Sequence, residues 1–318
     1  MQNKLFRNSH LNNSTKVVAI GGGTGLGRLL SSLSFLGENL TGIVATTDNG
    51  GSTGKLREET GCIAWGDLRN CLGQLTCEQD LKKQLFDFRF DQAGNLSGHS
   101  LGNLMLLALD NMCVRPLDTI NMFRQFLDVS PLIFPMTETP AHLFACDQHG
   151  CDVFGEVNID AQPKPPLSMQ ITPSVSAPRE AIEAINEADL IILGPGSFFT
   201  SILPPLLVKD IRKAIAASKA PRFFIASMEP EKGAAGTLGL ERKLTWFNNY
   251  LCPDAIDLVI WPSSRTKTSS NIPHLFEWDL YDKQSPRMHN LSKLETAIQH
   301  AFTLNQSTTP EYAFSVRS

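Results

Sequence analysis

The sequence predicts an α/β fold built on a mostly parallel sheet. Five short apolar runs stand out: KVVAI (16–20), TGIVATT (41–47), ADLIILG (188–194), RFFIAS (222–227) and AIDLVIW (255–261). They are continuous rather than alternating, as suits strands covered on both faces. Runs of this kind end in glycine or small polar residues and lead into helix-like spacing, the order of strand–helix–strand crossovers. A chain of 318 residues, 42% hydrophobic and 19% charged, is large enough to bury one substantial core.

Taken in order, residues 1–15, MQNKLFRNSHLNNST, are polar and lack the apolar stretch of a signal peptide, so a disordered tail and a cytoplasmic location are expected. Residues 16–302 read as a single α/β domain. Within it, 68–129 form a helical insertion, because LKKQLFDF (81–88), LGNLMLLALDNM (101–112) and LDTINMFRQFL (117–127) carry helical spacing. Residues 131–172 read as a β-hairpin region: HLFACDQHGCDVFGEV (142–157) alternates around Gln148-His149-Gly150. The proline-rich segment 161–180 reads as a connection back to the main sheet. A last helix is expected from Leu291 to Phe302, followed by a flexible tail over 303–318.

Composition excludes several classes. A net charge of -4 provides no basic field for a nucleic-acid backbone. No apolar run approaches the length of a membrane span. The seven cysteines (Cys62, Cys71, Cys77, Cys113, Cys146, Cys151 and Cys252) are odd in number and include no C-x-x-C pair. Neither a disulfide framework nor a zinc site is expected from them.

Three strand-to-helix transitions share one chemistry. The first is Gly21-Gly22-Gly23-Thr24-Gly25, where a strand runs through glycines into a helix. Backbone N–H groups and the positive end of the helix dipole then share one small volume, which suits a phosphate. A Cβ at Gly22 would occupy the phosphate's place. The strict G-x-G-x-x-G spacing is absent, and a glycine-rich turn also serves tight packing alone. The second, Asp48-Asn49-Gly50-Gly51-Ser52, follows the next strand; Asp48 stands where dinucleotide folds place an acid on ribose hydroxyls. It is not a Walker A loop, because Asn49 replaces the first glycine and Leu56 the residue after the lysine. The third is Gly194-Pro195-Gly196-Ser197 with Thr200 and Ser201, whose hydroxyls can cap a helix or donate to an anion.

Two further clusters lie between these loops. Gly66-Asp67-Leu68-Arg69-Asn70 is either a helix-start ion pair or a ligand clamp, and His99-Ser100-Leu101-Gly102-Asn103 opens a helix with Ser100 as its N-cap. Asp48 and Asp67 are the carboxylates able to share a magnesium ion with a phosphate. With Arg69 they are the candidate catalytic groups.

In order, GGGTGLG, TDNGGSTGKLR, GDLRNCL, GHSLGNLML and GPGSFFTSILPPLL resemble the motifs of the CofD-like family. The form is similar to the gluconeogenesis-factor (YvcK-like) branch of enterobacteria. The resemblance runs from Val17 through the strand at 222–227. It implies a three-layer α/β/α Rossmann-like fold with a nucleotide-bearing ligand across the carboxyl edge of the sheet. It also implies the ligand set: Gly21 to Gly25, Asp48, Asn49, Gly50, Gly51, Ser52, Arg69, Asn103, Gly194 to Ser197, Thr200 and Ser201. Asn49 stands where the family commonly has a second aspartate, which removes one negative ligand from any magnesium site. Ala64-Trp65 replaces the usual prolines, and residues 236–318 match little of the pattern.

The reading that follows is a cytoplasmic regulator binding a nucleotide sugar such as a UDP-sugar, or an NAD-like dinucleotide. Through it the protein would adjust metabolism or envelope synthesis and maintain cell shape during gluconeogenic growth. Phosphates are expected on the amides of Gly22, Gly23, Gly196 and Ser197, with Arg69 offsetting their charge. The alternative is a magnesium-dependent transferase at a phosphate diester, like 2-phospho-L-lactate transferase. A nicotinamide oxidoreductase fits least. A regulatory protein partner and self-association into a homo-oligomer are further expectations.

Overall fold

The computed structural model describes residues 11–91, 94–265 and 274–308. The chain begins with β1 (Val17–Gly21), α1 (Gly23–Ser32), β2 (Leu40–Val44), α2 (Gly51–Thr60) and α3 (Trp65–Leu75). Three more helices follow, α4 (Leu81–Asp87), α5 (Leu101–Asp110) and α6 (Pro116–Phe126). Next come β3 (Leu132–Pro135), β4 (His142–Cys146), β5 (Asp152–Phe154), α7 (Glu156–Asp160), β6 (Ser168–Thr172) and α8 (Arg179–Glu187). The second half holds β7 (Leu190–Leu193), a π-helical turn (Phe198–Ile202), α9 (Leu203–Leu207), α10 (Lys209–Ala217) and β8 (Arg222–Ile225). It ends with α11 (Gly233–Gly236), α12 (Leu240–Tyr250), β9 (Leu258–Pro262), β10 (Leu275–Trp278) and α13 (Leu291–Thr308).

Seven strands form one parallel sheet in the order β10-β9-β8-β7-β1-β2-β3. The inner strand β1 pairs with β2, Val17 opposite Leu40, and on its other edge with β7, Val17 opposite Leu190. All five residues of β1 are buried, which is why its sequence shows no alternation. Strand geometry still divides it: Val17 and Ala19 join Leu26, Leu68, Leu72 and Ile298 on one face. Val18 and Ile20 join Ile185, Leu203, Ile211 and Phe247 on the other. The result is three layers, each side chain contributing about 1.5–3 kcal/mol by leaving water.

Several elements differ from the sequence expectation. β3, inside the expected hairpin region, leaves it and pairs in parallel with β2 at the sheet edge. The segment reads PLIFP, and prolines at both ends of a short run look like loop unless an edge position tolerates them. The hairpin itself is present, with β4 antiparallel to β5, but β6 adds a third strand on the other side of β4. β6 arises within the segment read as a proline-rich connection. β10 at the far edge is short and only partly buried, so it carries little hydrophobic signal. The final helix continues past Phe302 to Thr308. Residues 1–10 and 309–318 lie outside the described residues, and Leu11 is buried in the core.

A segment from Asp279 to Asn290 straps the carboxyl end of β8 to α1. Arg28 on α1 binds Asp282 at 2.5 Å and the carbonyl of His289. Nε2 of the buried His289 lies 2.9 Å from the Ala226 carbonyl and must donate, since a carbonyl only accepts. Burial, joined by the charge of Arg28, lowers the His289 pKa from 6.5 to about 4. Between those values the unfolded chain binds a proton that the folded chain does not, so this contribution to stability is complete above pH 6.5 and is lost as pH falls toward 4. Denaturant titrations across this range are expected to show a slope, up to about 3 kcal/mol in total, that flattens in His289→Gln.

Candidate functional site

Between β1 and β7 the direction of chain progression across the sheet reverses. Loops leaving neighbouring strands at such a point diverge and leave a crevice beyond the carboxyl ends of the strands. The first and third glycine loops leave from these two strands, and they touch. A Cβ on Gly25 would come inside 3.0 Å of the Pro195 carbonyl oxygen, and one on Gly196 would lie 3.8 Å from the Gly22 carbonyl oxygen.

Against the first loop lies a carboxylate of the protein itself. A Cβ on Gly22 would come inside 3.0 Å of the Asp67 carboxylate, and so would one on Gly23, whose φ is +56°. The Gly23 backbone beside it lowers the proton affinity of the Asp67 carboxylate. Thus the amide end of α1, which no side chain of its own caps, receives a carboxylate from α3. The third loop is arranged alike. The N–H of Phe198, opening the π-turn, donates to Glu231 at 2.7 Å, and Glu231 also pairs with Lys243. A Cβ on Gly196 would lie 3.2 Å from the Ser201 Cβ.

The second loop joins the remaining motifs. Asp48 accepts from the Gly50 N–H at 2.8 Å, and its other oxygen would lie 3.0 Å from a Cβ on Gly66. Asn49 accepts from the Val157 N–H at 3.1 Å, tying the loop to α7. The Ser52 hydroxyl lies 3.0 Å from Nδ1 of the buried His99 and accepts from the Asn103 amide at 3.2 Å. Ser100 caps α5 through the Asn103 N–H, as expected. Arg57, buried, donates to the carbonyls of Thr47 (2.9 Å), Asp48 (2.8 Å) and Ala141. That clamp fixes the end of β2. The N-terminus of α2 has no side-chain cap, and a Cβ on Gly51 would meet only open space.

Four carboxylates from three segments act on one another here: Asp48 in its loop, Asp67 on α3, and Glu156 and Asp160 on α7. Burial and then the charge of Asp48 raise the Asp67 pKa to about 7, against Arg69, Asn70 and the Gly23 backbone. Glu156, on α7 and bonded by the Thr47 hydroxyl, is raised well above the ordinary carboxylate range by burial, Asp67, Asp48 and Asp160. Asp160 is raised by burial and Glu231, opposed by its bonds from Thr200 (3.1 Å) and Ser197. A carboxyl kept neutral near pH 7 can donate as well as accept, so the group suits alcohol hydroxyls better than bare phosphate.

Arg69 is held by groups of the protein itself, and its charge acts on Asp67. It donates to Asp87 at 2.9 Å and to Asn70, and burial lowers its pKa. Among the described residues no group of three or more His, Cys, Asp and Glu is arranged to hold a metal. Asp48 and Asp67 remain a pair of the kind that binds magnesium only together with phosphate oxygens. Near them, Thr46 Oγ1, Trp65 Nε1, Arg69 Nε and Asn103 Oδ1 are buried without a hydrogen-bond partner, unusual for buried polar atoms.

The structure therefore gathers Gly21–Gly25, Asp48–Ser52, Asp67, Asn103 and Gly194–Ser201 into one contact network, with Thr24 in the first turn of α1. Glu156, Asp160, Glu231 and the clamp Arg57 belong to it and were missed. Only Arg57 had a sequence signal, a charge inside the second motif.

Glycine turns at the switch point of a parallel α/β sheet define a Rossmann-like protein. The chain belongs to the CofD family: the family model described as 2-phospho-L-lactate transferase CofD matches residues 17–300. It is 49% identical over 263 residues to a Pasteurella multocida protein described as "Putative gluconeogenesis factor", covering 83% of this chain and 85% of that one. A Yersinia pestis protein of the same description is 45% identical over 302 residues, covering 95% and 98%. A Listeria monocytogenes "Gluconeogenesis factor" is 41% identical over 219 residues, covering 69% and 68%. The crystal structure of a UPF0052 family member from Bacillus halodurans superposes with a TM-score of 0.82 at 30% identity, covering 89% of this chain and 98% of that one.

Two substitutions test the loop geometry. Gly25→Ala meets backbone and is expected to cost about 2–3 kcal/mol in chemical denaturation. Gly22→Ala meets a side chain instead, so its cost should shrink by at least about 1 kcal/mol in an Asp67→Ser background. Additive effects would mean that Asp67 does not fill the space beside Gly22.

Proposed function

We propose that this protein is a regulator that binds a nucleotide sugar across the β1–β7 switch point and couples its level to carbon metabolism. One observation carries the reading: the uncapped N-terminus of α2 opens beside a group of carboxylates that includes Asp48, Asp67, Glu156 and Asp160. The amides of Gly51 and Ser52, or of Gly196 and Ser197, take an anion, and the carboxylates take ribose and sugar hydroxyls. A UDP-sugar has both parts, as does an NAD-like dinucleotide. The relatives' description as gluconeogenesis factors supports a role in growth on gluconeogenic carbon, and control of cell shape through envelope precursors belongs to the same reading.

The transferase reading is favoured by the mutual repulsion of Asp48 and Asp67 and by the family description. There the two carboxylates would hold magnesium, which supplies charge neutralisation at a phosphate when bound. The loop amides would orient the diester.

A thermal-shift panel of UDP-glucose, UDP-N-acetylglucosamine, GDP, GTP and NAD, with and without magnesium, separates the two. A UDP-sugar at about 100 times its Kd adds about 2.7 kcal/mol. The regulator reading expects a rise of several degrees without magnesium, no turnover, and loss of the rise in Asp48→Asn. Consumption of nucleotide only with magnesium supports transfer, and no shift with any nucleotide overturns both.

A further inference from the structure

A cavity of about 730 Å³ opens beyond the ends of β8 and β9. Its size is in the range of small-molecule sites. The floor is apolar, from Ala226, Leu238, Leu240 and Trp261, all buried. Over it stands Arg265, whose guanidinium carbon lies 4.3 Å from the centre of the Trp261 ring and whose Nη1 donates to the Ser227 carbonyl at 2.9 Å. These two contacts hold the guanidinium plane and, among the described residues, leave its remaining N–H donors unused. Among the described residues Arg265 has no ion-pair partner. The acid whose charge it feels, Glu231, is engaged by Lys243 and the Phe198 N–H. Glu229, also lining the cavity, pairs with Arg287 at 3.3 Å.

A half-buried guanidinium without a carboxylate is costly to keep charged, and burial lowers the Arg265 pKa accordingly. Its planar fork matches the paired oxygens of a carboxylate or phosphate, most strongly where water is scarce. We propose that this cavity is a second binding site, for a small organic anion: Arg265 takes the carboxylate or phosphate, and Leu238, Leu240 and Ala226 take an apolar or ring-shaped body. The site does not depend on the nucleotide reading, because none of its lining residues belongs to the glycine loops.

The full chain is titrated with benzoate, phenyl phosphate and benzyl alcohol, followed by tryptophan fluorescence. The expected result is saturable quenching by one or both anions, lost in Trp261→Phe, with the neutral alcohol at least tenfold weaker. Quenching by benzoate alone assigns the site to carboxylates, and by phenyl phosphate alone to phosphates. Arg265→Gln should weaken the anion at least tenfold at an unchanged melting temperature, and Arg265→Lys, which keeps the charge without the fork, should fall between. If Arg265→Gln does not fold, the contrast between anions and alcohol on the unmodified protein decides. Equal binding of the alcohol, no binding by any probe, unchanged affinity in Arg265→Gln, or full competition by UDP-glucose would overturn the proposal. Nucleotide binding is read separately, so its failure leaves this result standing.

Discussion

The pairing of β1 with β2 on one edge and β7 on the other organises everything else in this protein. Parallel strands end at the same side, so one inner strand with two neighbours brings three separate loops to one rim. The helices return along the two faces, and the crevice forms where the order reverses. Burial of β1 on both faces fixes its register, since each of its side chains has a partner layer to fill. With β1 in place, the first and third glycine loops have no course that avoids one another.

Their contact changes the meaning of the glycines. Gly22 and Gly23 are bare because a carboxylate from α3 lies against them, and Gly25 because the Pro195 carbonyl does. The amide end of α1 is therefore neutralised from within, and the opening of the π-turn is treated the same way by Glu231. Helix ends need acceptors whether or not a ligand is present, and a protein can supply them itself. The end of α2 differs: it opens beside the acidic group without a capping side chain. This contrast among three similar sequence motifs divides the rim into an amide side and a hydroxyl-accepting side.

The acidic group carries a second consequence. Arg57 and Arg69, the buried cations nearest in sequence to its motifs, are engaged by main-chain carbonyls and by Asp87 and Asn70 respectively. Arg57 and Arg69 offset these carboxylates only in part, and burial and mutual repulsion still raise the proton affinity of Asp67 and Glu156. Arg265 presents the opposite imbalance across the π-turn, a cation over an apolar floor. Glu231, paired with Lys243, carries its charge to both regions, acting on Asp160 and on Arg265.

The continuous apolar runs that became β1, β2, β7, β8 and β9 were legible because burial on both faces is written into every residue of such a strand. So were the helical insertion and the Ser100 cap, which rest on spacing and a side chain's own neighbours. β3 and β10 were not, because edge strands need less apolar surface, and β6 was hidden by prolines that its position tolerates. The positions of the glycine turns are a local property of the chain, and the sequence by itself determined them. Which atoms lie against those turns is not local: Asp67, Glu156, Asp160 and Glu231 arrive from other elements, and only the folded arrangement decides whether an amide faces a carboxylate or open space. Electrostatic balance depends on distances through space, and for that reason the tertiary structure alone decided where this site can receive a ligand.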